Sequence, residues 1–426
     1  MRLWSAARSR RWLLWGILAV TFLFVNIYRL STAVIAEQLM AAFGTTGAEL
    51  GTLHATFFFL YAVMQIPTGI LVDWAGPRYT ATAGAVVMHL GAMLFAVAGS
   101  FTGAFAGRFL IGLGGSVIFV SILRFCANWY SAGEFGTMNG LSFAIAGVGG
   151  ILATTPFAIA VDWLGWRSTV WLLAITGLGI AIATYALVRD SPQRAGLEPI
   201  ENVPEQPRVS AAESWAFLTD VVRDSYTWVV FVLLFCAVGV NLTLFGLWGI
   251  PFVVQVYGTS VTVASLFTFL GGIGAVVGPP AFGRLSDQTG YRTEITVAGT
   301  ALYTITLGTI ALFGDPPLVI VAIAYFLTGA LVGTFVLTYP IIKERNPDRA
   351  SGIALGTING ASFFGAAVFP TVMGWALDSY WTGEIVGGAR VYTVTGYRVA
   401  FGLATAGAFL SLCCALWLQY QEEGGV

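Results

Sequence analysis

Three arginines lie inside long apolar runs: Arg29, Arg108 and Arg124. A charge at the centre of a membrane helix costs about 2.5–3.5 kcal/mol on insertion, so an ionisable group there is a functional candidate. A guanidinium offers a planar fork of N–H donors that matches a carboxylate, a phosphate or a similar oxyanion. Arg29 falls between the centre and one end of its run, and Asn26 lies three residues earlier on the same helical face. Together they can take an oxyanion through paired hydrogen bonds. The competing reading pairs Arg29 with Glu37 or with backbone carbonyls, so that it only fixes its helix. Arg124 and its rough counterpart Lys343 each follow an apolar stretch. They either draw anions toward an inner mouth or snorkel to lipid headgroups. Arg108 sits near the end of its run, where snorkelling or a structural pair competes with a part in coupling.

Acids are scarce in the same runs. Glu37 sits near an end, and no carboxylate stands at the middle of a run. That argues against a carrier of cations, which needs a buried acid to balance its cargo. It also leaves proton coupling without an obvious carboxylate, so His54 is the titratable candidate and the coupling ion, proton or cation, stays open. Two scattered histidines and no paired nucleophile and base argue against an enzyme. No Gly-rich phosphate loop is present, so ATP drive is not indicated. The four cysteines fall inside apolar runs and suggest neither a disulfide nor a metal site. A net charge of −1 gives no reason to expect nucleic acid, and no cofactor is implied.

The elements that must hold these residues are membrane helices. Of 426 residues, 57% are hydrophobic and 10% charged, with Gly at 52 positions. A soluble chain would carry roughly a quarter charged residues. Apolar runs fall near 12–40, 50–72, 80–100, 103–127, 136–161 and 168–188. They resume near 228–255, 260–282, 295–313, 317–342, 350–376 and 398–419. About 20 such residues cross a bilayer as a helix, and the alternation of a barrel strand is absent. The first run is too long, and lacks the small-residue cleavage pattern, to be a removable leader. Residues 1–188 and 227–426 are therefore two six-helix bundles, and the polar stretch 189–226 is a cytoplasmic linker with a surface helix near 211–222. Fourteen Arg and Lys fall in the segments assigned to the inside and three, Arg167, Arg390 and Arg398, outside. The bias places both termini in the cytoplasm.

The chain is also written twice. Gly69, Asp73, Gly76 and Arg78 recur as Gly283, Asp287, Gly290 and Arg292, a pattern G-x-L-x-D-x-x-G-x-R repeated 214 residues on (69 to 283). Asn26 matches Asn241, Asp162 matches Asp378, Asn139-Gly140 matches Asn359-Gly360, and Gly165-Trp166-Arg167 matches Gly396-Tyr397-Arg398. Duplicated halves can rock about a central site.

These paired turns resemble the loops after the second and eighth helices of the major facilitator superfamily, and the resemblance covers nearly the whole chain. Arg108, opening Arg108-Phe109-Leu110-Ile111-Gly112, resembles that family's fourth-helix signature. The resemblance implies an all-α membrane protein of twelve helices, alternating access, and a first helix along a central cavity. It implies gating by the paired turns, although Trp74 and Pro77 replace bases common there. Tyr61, Gln65, Asn139, Asn241, Trp248, Tyr339 and Asn359 fall on the expected cavity helices. Each either orients a small polar substrate or bonds a neighbouring helix. Asn241 and Trp248, seven apart, are expected on one face.

The expected function is secondary transport of a small organic anion, a mono- or dicarboxylate, by a monomer in a prokaryotic plasma membrane. The Asp-x-x-Gly-Pro-Arg turn and the Gly-Trp-Arg motif are similar to those of organic anion, sugar phosphate and nitrate carriers. The alternatives are sugar phosphate, nitrate or a neutral solute, or a non-transporting membrane sensor. Leu244, opposite Arg29 in the repeat, departs from the second cavity arginine of phosphate-ester carriers.

Overall fold

The computed structural model describes residues 2–198, 200, 203, 219, 221, 223–345 and 348–423. The helix expected near 211–222 lies almost wholly outside the described residues. Ten described helices are long and apolar enough to cross a membrane, and the bent pair Thr137–Leu152 and Thr155–Leu164 makes eleven. The protein is a multi-span helical bundle.

Several crossings are interrupted. The helix Arg2–Leu30 gives way to a 3-10 turn at Ser31–Ala33, and Phe101–Ser116 breaks before Ile118–Trp129. Ser225–Thr243 runs through a π-turn, Leu244–Trp248, into Gly249–Tyr257. Leu318–Ala330 is followed by the short pieces Val332–Phe335 and Thr338–Arg345. Breaks free backbone groups that a continuous helix would use up, and inside a membrane these persist only where protein or water satisfies them.

The described chain forms two compact units. One comprises Met1–Arg29, Leu60–Ala153 and Ala160–Arg208, the other Leu30–Phe59, Thr154–Ile159 and Val209–Val426. Small residues let helices approach closely in each. In the first, a Cβ at Gly114 would meet the carbonyl oxygen of Gly84 at 2.3 Å. In the second, a Cβ at Gly329 would meet the carbonyl oxygen of Gly271 at 1.9 Å.

Gly76 divides what would otherwise be one long helix, Gln65–Val97. Its φ of +83° and ψ of 159° leave the helix, a conformation only glycine takes without strain. Pro77 then opens the next segment, where its missing N–H is no loss. In the repeat, Gly290 at φ +75° ends Val261–Thr289 and donates its N–H to Ser286 at 2.8 Å. That is a left-handed cap before Arg292–Phe313.

Trp381–Val386 and Ala389–Tyr392 form an antiparallel hairpin, the one sheet among the described residues. Gly387 and Gly388 turn it, at φ +61° and +87°. A pair of glycines between apolar residues suits such a tight turn.

Candidate functional site

Arg29 is half-buried near the end of Arg2–Leu30, and its guanidinium carbon lies 5.0 Å from the ring centre of buried Tyr61. That distance is within cation–π range. Arg108, buried, reaches back to the same helix end. Its Nη1 donates to the Tyr28 carbonyl at 2.6 Å and its Nη2 to the Arg29 carbonyl at 3.4 Å. The last carbonyls of a helix have no partner within it and carry its negative dipole end. Arg108 occupies that position, so it fixes the backbone from which Arg29 projects. Two like charges are thus gathered at one helix end, where they disfavour each other. Glu37, the sequence candidate for pairing with Arg29, accepts from Gln255 Nε2 at 3.1 Å.

Several other expected site residues bond within the helical scaffold. Asn26 donates to the Phe22 carbonyl of its own helix at 2.9 Å. Asn241 donates to the Thr328 carbonyl at 2.9 Å, and Trp248 Nε1 to the Pro370 carbonyl at 2.9 Å. Their acceptors lie on different helices, Leu318–Ala330 and Asp348–Asp378. The π-turn between them inserts a residue into the helical register, so a spacing of seven no longer means one face. Tyr339 donates to Asn359 Oδ1 at 3.0 Å, which joins two of the candidates. Asn139 is half-buried, and its Oδ1 has no hydrogen-bond partner among the described residues. Gln65 is half-buried. His54 is fully buried beside Phe58, and a Cβ at Gly246 would lie 2.8 Å from its ring.

Arg124 forms an ion pair with Asp73 at 3.1 Å, which ties it to the first charged turn. Lys343 is exposed. The same turn is met by Asp190, which lies in the stretch read from sequence as the linker. Asp190 accepts the Arg78 N–H at 2.8 Å and pairs with Arg194 at 2.6 Å. Its carboxylate caps the helix that starts after Gly76, where a Cβ would lie 2.9 Å from it. Gly69 is half-buried, and Arg78 Nε reaches the Tyr185 carbonyl at 2.9 Å. The second turn repeats the plan with other residues. Thr293 donates to Glu422, and Arg292 pairs with Glu344 at 2.5 Å. Asp287 and Gly290 are exposed, and Gly283 is half-buried.

The repeated Gly-aromatic-Arg motifs are staples at the opposite helix ends. Arg167 Nη1 donates to the carbonyls of Ala96 and Ala98, both at 2.8 Å, and Arg398 Nε to that of Ala311 at 3.2 Å. A further pair escaped sequence reasoning: Arg11 grips Glu134 through two bonds of 3.0 and 2.6 Å. Glu134 also closes a capping box with Ser131. The Arg11 guanidinium and the Ser131 N–H and hydroxyl hold the Glu134 carboxyl down to about 2.

A duplicated helical bundle with broken crossings, a cation set in an apolar helix and acid-base turns at helix ends defines a membrane carrier fold. The model of the Major Facilitator Superfamily matches residues 14–279 and 247–425, and the chain belongs to that family. It is 24% identical over 389 residues to the "Probable sulfoacetate transporter" of Cupriavidus necator, covering 86% of this chain and 87% of that one. It is 25% identical over 400 residues to a "Membrane sensor protein" of Salmonella typhimurium, covering 88% of each. A crystal structure of a bacterial homolog of the human lysosomal transporter Spinster superposes with a TM-score of 0.78. The identity there is 14%, over 96% of this chain and 97% of that one, which shows a shared fold.

Proposed function

We propose that this multi-pass membrane protein is a secondary transporter of a small organic anion, bearing one carboxylate or sulfonate and a second polar end, by alternating access. The reading rests chiefly on Arg29: a guanidinium on an apolar helix, set against the Tyr61 ring, with its backbone held by Arg108. An anion between the two guanidiniums would relieve their repulsion. Asn139, with an amide oxygen open among the described residues, is the second polar contact we assign to the substrate. Tyr61 shapes the pocket wall. The relative named for sulfoacetate supports an organic anion, since a sulfonate and a carboxylate share the oxyanion geometry a guanidinium reads.

We infer twelve crossings, because the non-helical Gly76 divides Gln65–Val97 into the end of one and the start of the next. Arg78, Arg124, Asp73 and Asp190 then gather at one charged turn and act in gating, as do Asp287 and Arg292 in the repeat. Arg124 belongs to that turn rather than to the substrate. The other reading, a membrane sensor, is favoured by the relative of that name, and it keeps the anion site without net transport.

The test is uptake into proteoliposomes loaded with unlabelled anion, which detects exchange. Labelled small carboxylates and sulfonates should enter the wild type. In Arg29→Ala, entry should fall at least about tenfold, the scale of losing a hydrogen bond to a charged group. Binding without exchange would support the sensor, and exchange by Arg29→Ala at the wild-type rate would overturn the site.

A further inference from the structure

We propose that Asp378 is a releasable clasp that holds the hairpin end of the carrier shut during each transport cycle. The proposal rests on the alternating-access reading above. Asp378 ends the helix Asp348–Asp378, in the second half of the duplicated chain. Its Oδ1 accepts the Gly47 N–H at 2.9 Å and its Oδ2 the Ala48 N–H at 2.8 Å. These two residues open the helix Gly47–Val63, in the first half, 331 and 330 positions away in sequence. The acid thus sits on the positive end of a helix whose first N–H groups have no partner within it.

The hairpin Trp381–Tyr392 returns two more donors to the same carboxylate. The Tyr392 hydroxyl donates to Oδ1 at 3.1 Å and Arg390 Nη1 at 3.3 Å. Four donors on one carboxylate, drawn from both halves, form a single fastening point. Gln255 makes a second. Its Nε2 donates to Glu37 Oε1 and to the Arg390 carbonyl, both at 3.1 Å. Its Oε1 accepts the Tyr392 N–H at 3.1 Å and the Tyr397 hydroxyl at 3.2 Å. The same side chain therefore links helix Ala36–Phe43 of the first half to the hairpin.

The seam beneath is built to part. Glycines stand where the two helices cross near the hairpin; farther along the same pair, Phe58 meets Phe363 and Phe59 meets Phe364, with ring centres 6.5 and 6.4 Å apart. A Cβ at Gly51 would lie 2.4 Å from the Pro370 carbonyl oxygen, and one at Gly374 would lie 2.4 Å from that of Gly47. At the hairpin end backbones therefore touch, and polar groups do the fastening there. Hydrogen bonds at a partly exposed joint exchange with water at small net cost, while an apolar joint of the same area would not. Asp378 and Arg390 side chains keep 18% and 26% of their exposure, so water reaches the clasp.

Two experiments test it. In a background with the four native cysteines replaced, Thr56→Cys places a thiol on the helix Gly47–Val63 at a buried position. Its reaction with a membrane-impermeant thiol reagent reads how often the hairpin end opens. Asp378→Asn, which cannot accept both backbone N–H groups, should raise the labelling rate roughly tenfold. Unchanged labelling in Asp378→Asn overturns the proposal. This readout needs no transport, so it stands or falls apart from the anion reading.

The second experiment pairs Thr52→Cys with Thr371→Cys, whose hydroxyls lie 3.4 Å apart across the same seam. It serves even where Asp378 variants fail to fold. Oxidation of the pair should stop uptake and dithiothreitol should restore it. Wild-type uptake by the oxidised pair overturns the clasp.

Discussion

Arg29 and Arg108 meet at the end of the helix Arg2–Leu30 and play different parts in the proposed cycle. Arg108 spends donors on the Tyr28 and Arg29 carbonyls, whereas Arg29 faces Tyr61. In the proposed transporter we therefore assign Arg108 to positioning and Arg29 to the contact with the anion. The two roles separate in kinetics. Arg29→Lys should keep the charge and lose the fork, which weakens apparent affinity with little effect on maximal rate. Arg108→Lys should lose the second of two bonds to the helix end, which affects rate and stability together. Uptake measured over a range of substrate concentrations, beside thermal unfolding, separates them, and identical profiles for the two variants would contradict the assignment. Arg29 was legible because a charge in an apolar run stands out. Arg108's partners were not, since a donor to backbone carbonyls of another helix leaves no trace in spacing.

At the scale of elements, the charged turns show what one sequence can and cannot disclose. The repeat of Gly69–Arg78 in Gly283–Arg292 was plain, and so was the tight bend that Gly76 must make. Asp190 was placed in the linker because its partner, the Arg78 N–H, is 112 residues away. Gly76→Ala should lower stability by roughly 1–3 kcal/mol, since a side chain at φ +83° is strained and here also meets the Asp190 carboxylate. A melting temperature unchanged from wild type would contradict it. Glu134 gives a pH signature. Arg11 and the capping box hold its carboxyl below the ordinary 4.5, down to about 2. Its stabilising contribution is therefore full above pH 4.5 and disappears as pH falls through about 2. The difference in melting temperature between wild type and Glu134→Gln should shrink over that window, and a constant difference would speak against the pair. The π-turn at Leu244–Trp248 is the opposite case. Nothing in the residue types announces it, and it removes the regular register on which the spacing of Asn241 and Trp248 was read.

The whole molecule combines a duplicated sequence with close glycine seams and fastenings made of charge. Length, hydropathy and the doubled motif disclosed the membrane bundle and its family, because lipid imposes the same demand on every crossing. Compact packing does not follow the repeat, since Leu30–Phe59 joins Val209–Val426 in one unit. Contacts such as Asp378 with Gly47 account for that, and no local pattern encodes a bond across 331 positions. The proposed transport cycle works by exchanging such bonds. The most direct measurement is exchange of a labelled small carboxylate or sulfonate by wild type and Arg29→Ala in proteoliposomes. Saturable exchange by the wild type, lost in a variant that keeps the wild-type melting profile, is the predicted result. Equal exchange by both would contradict it.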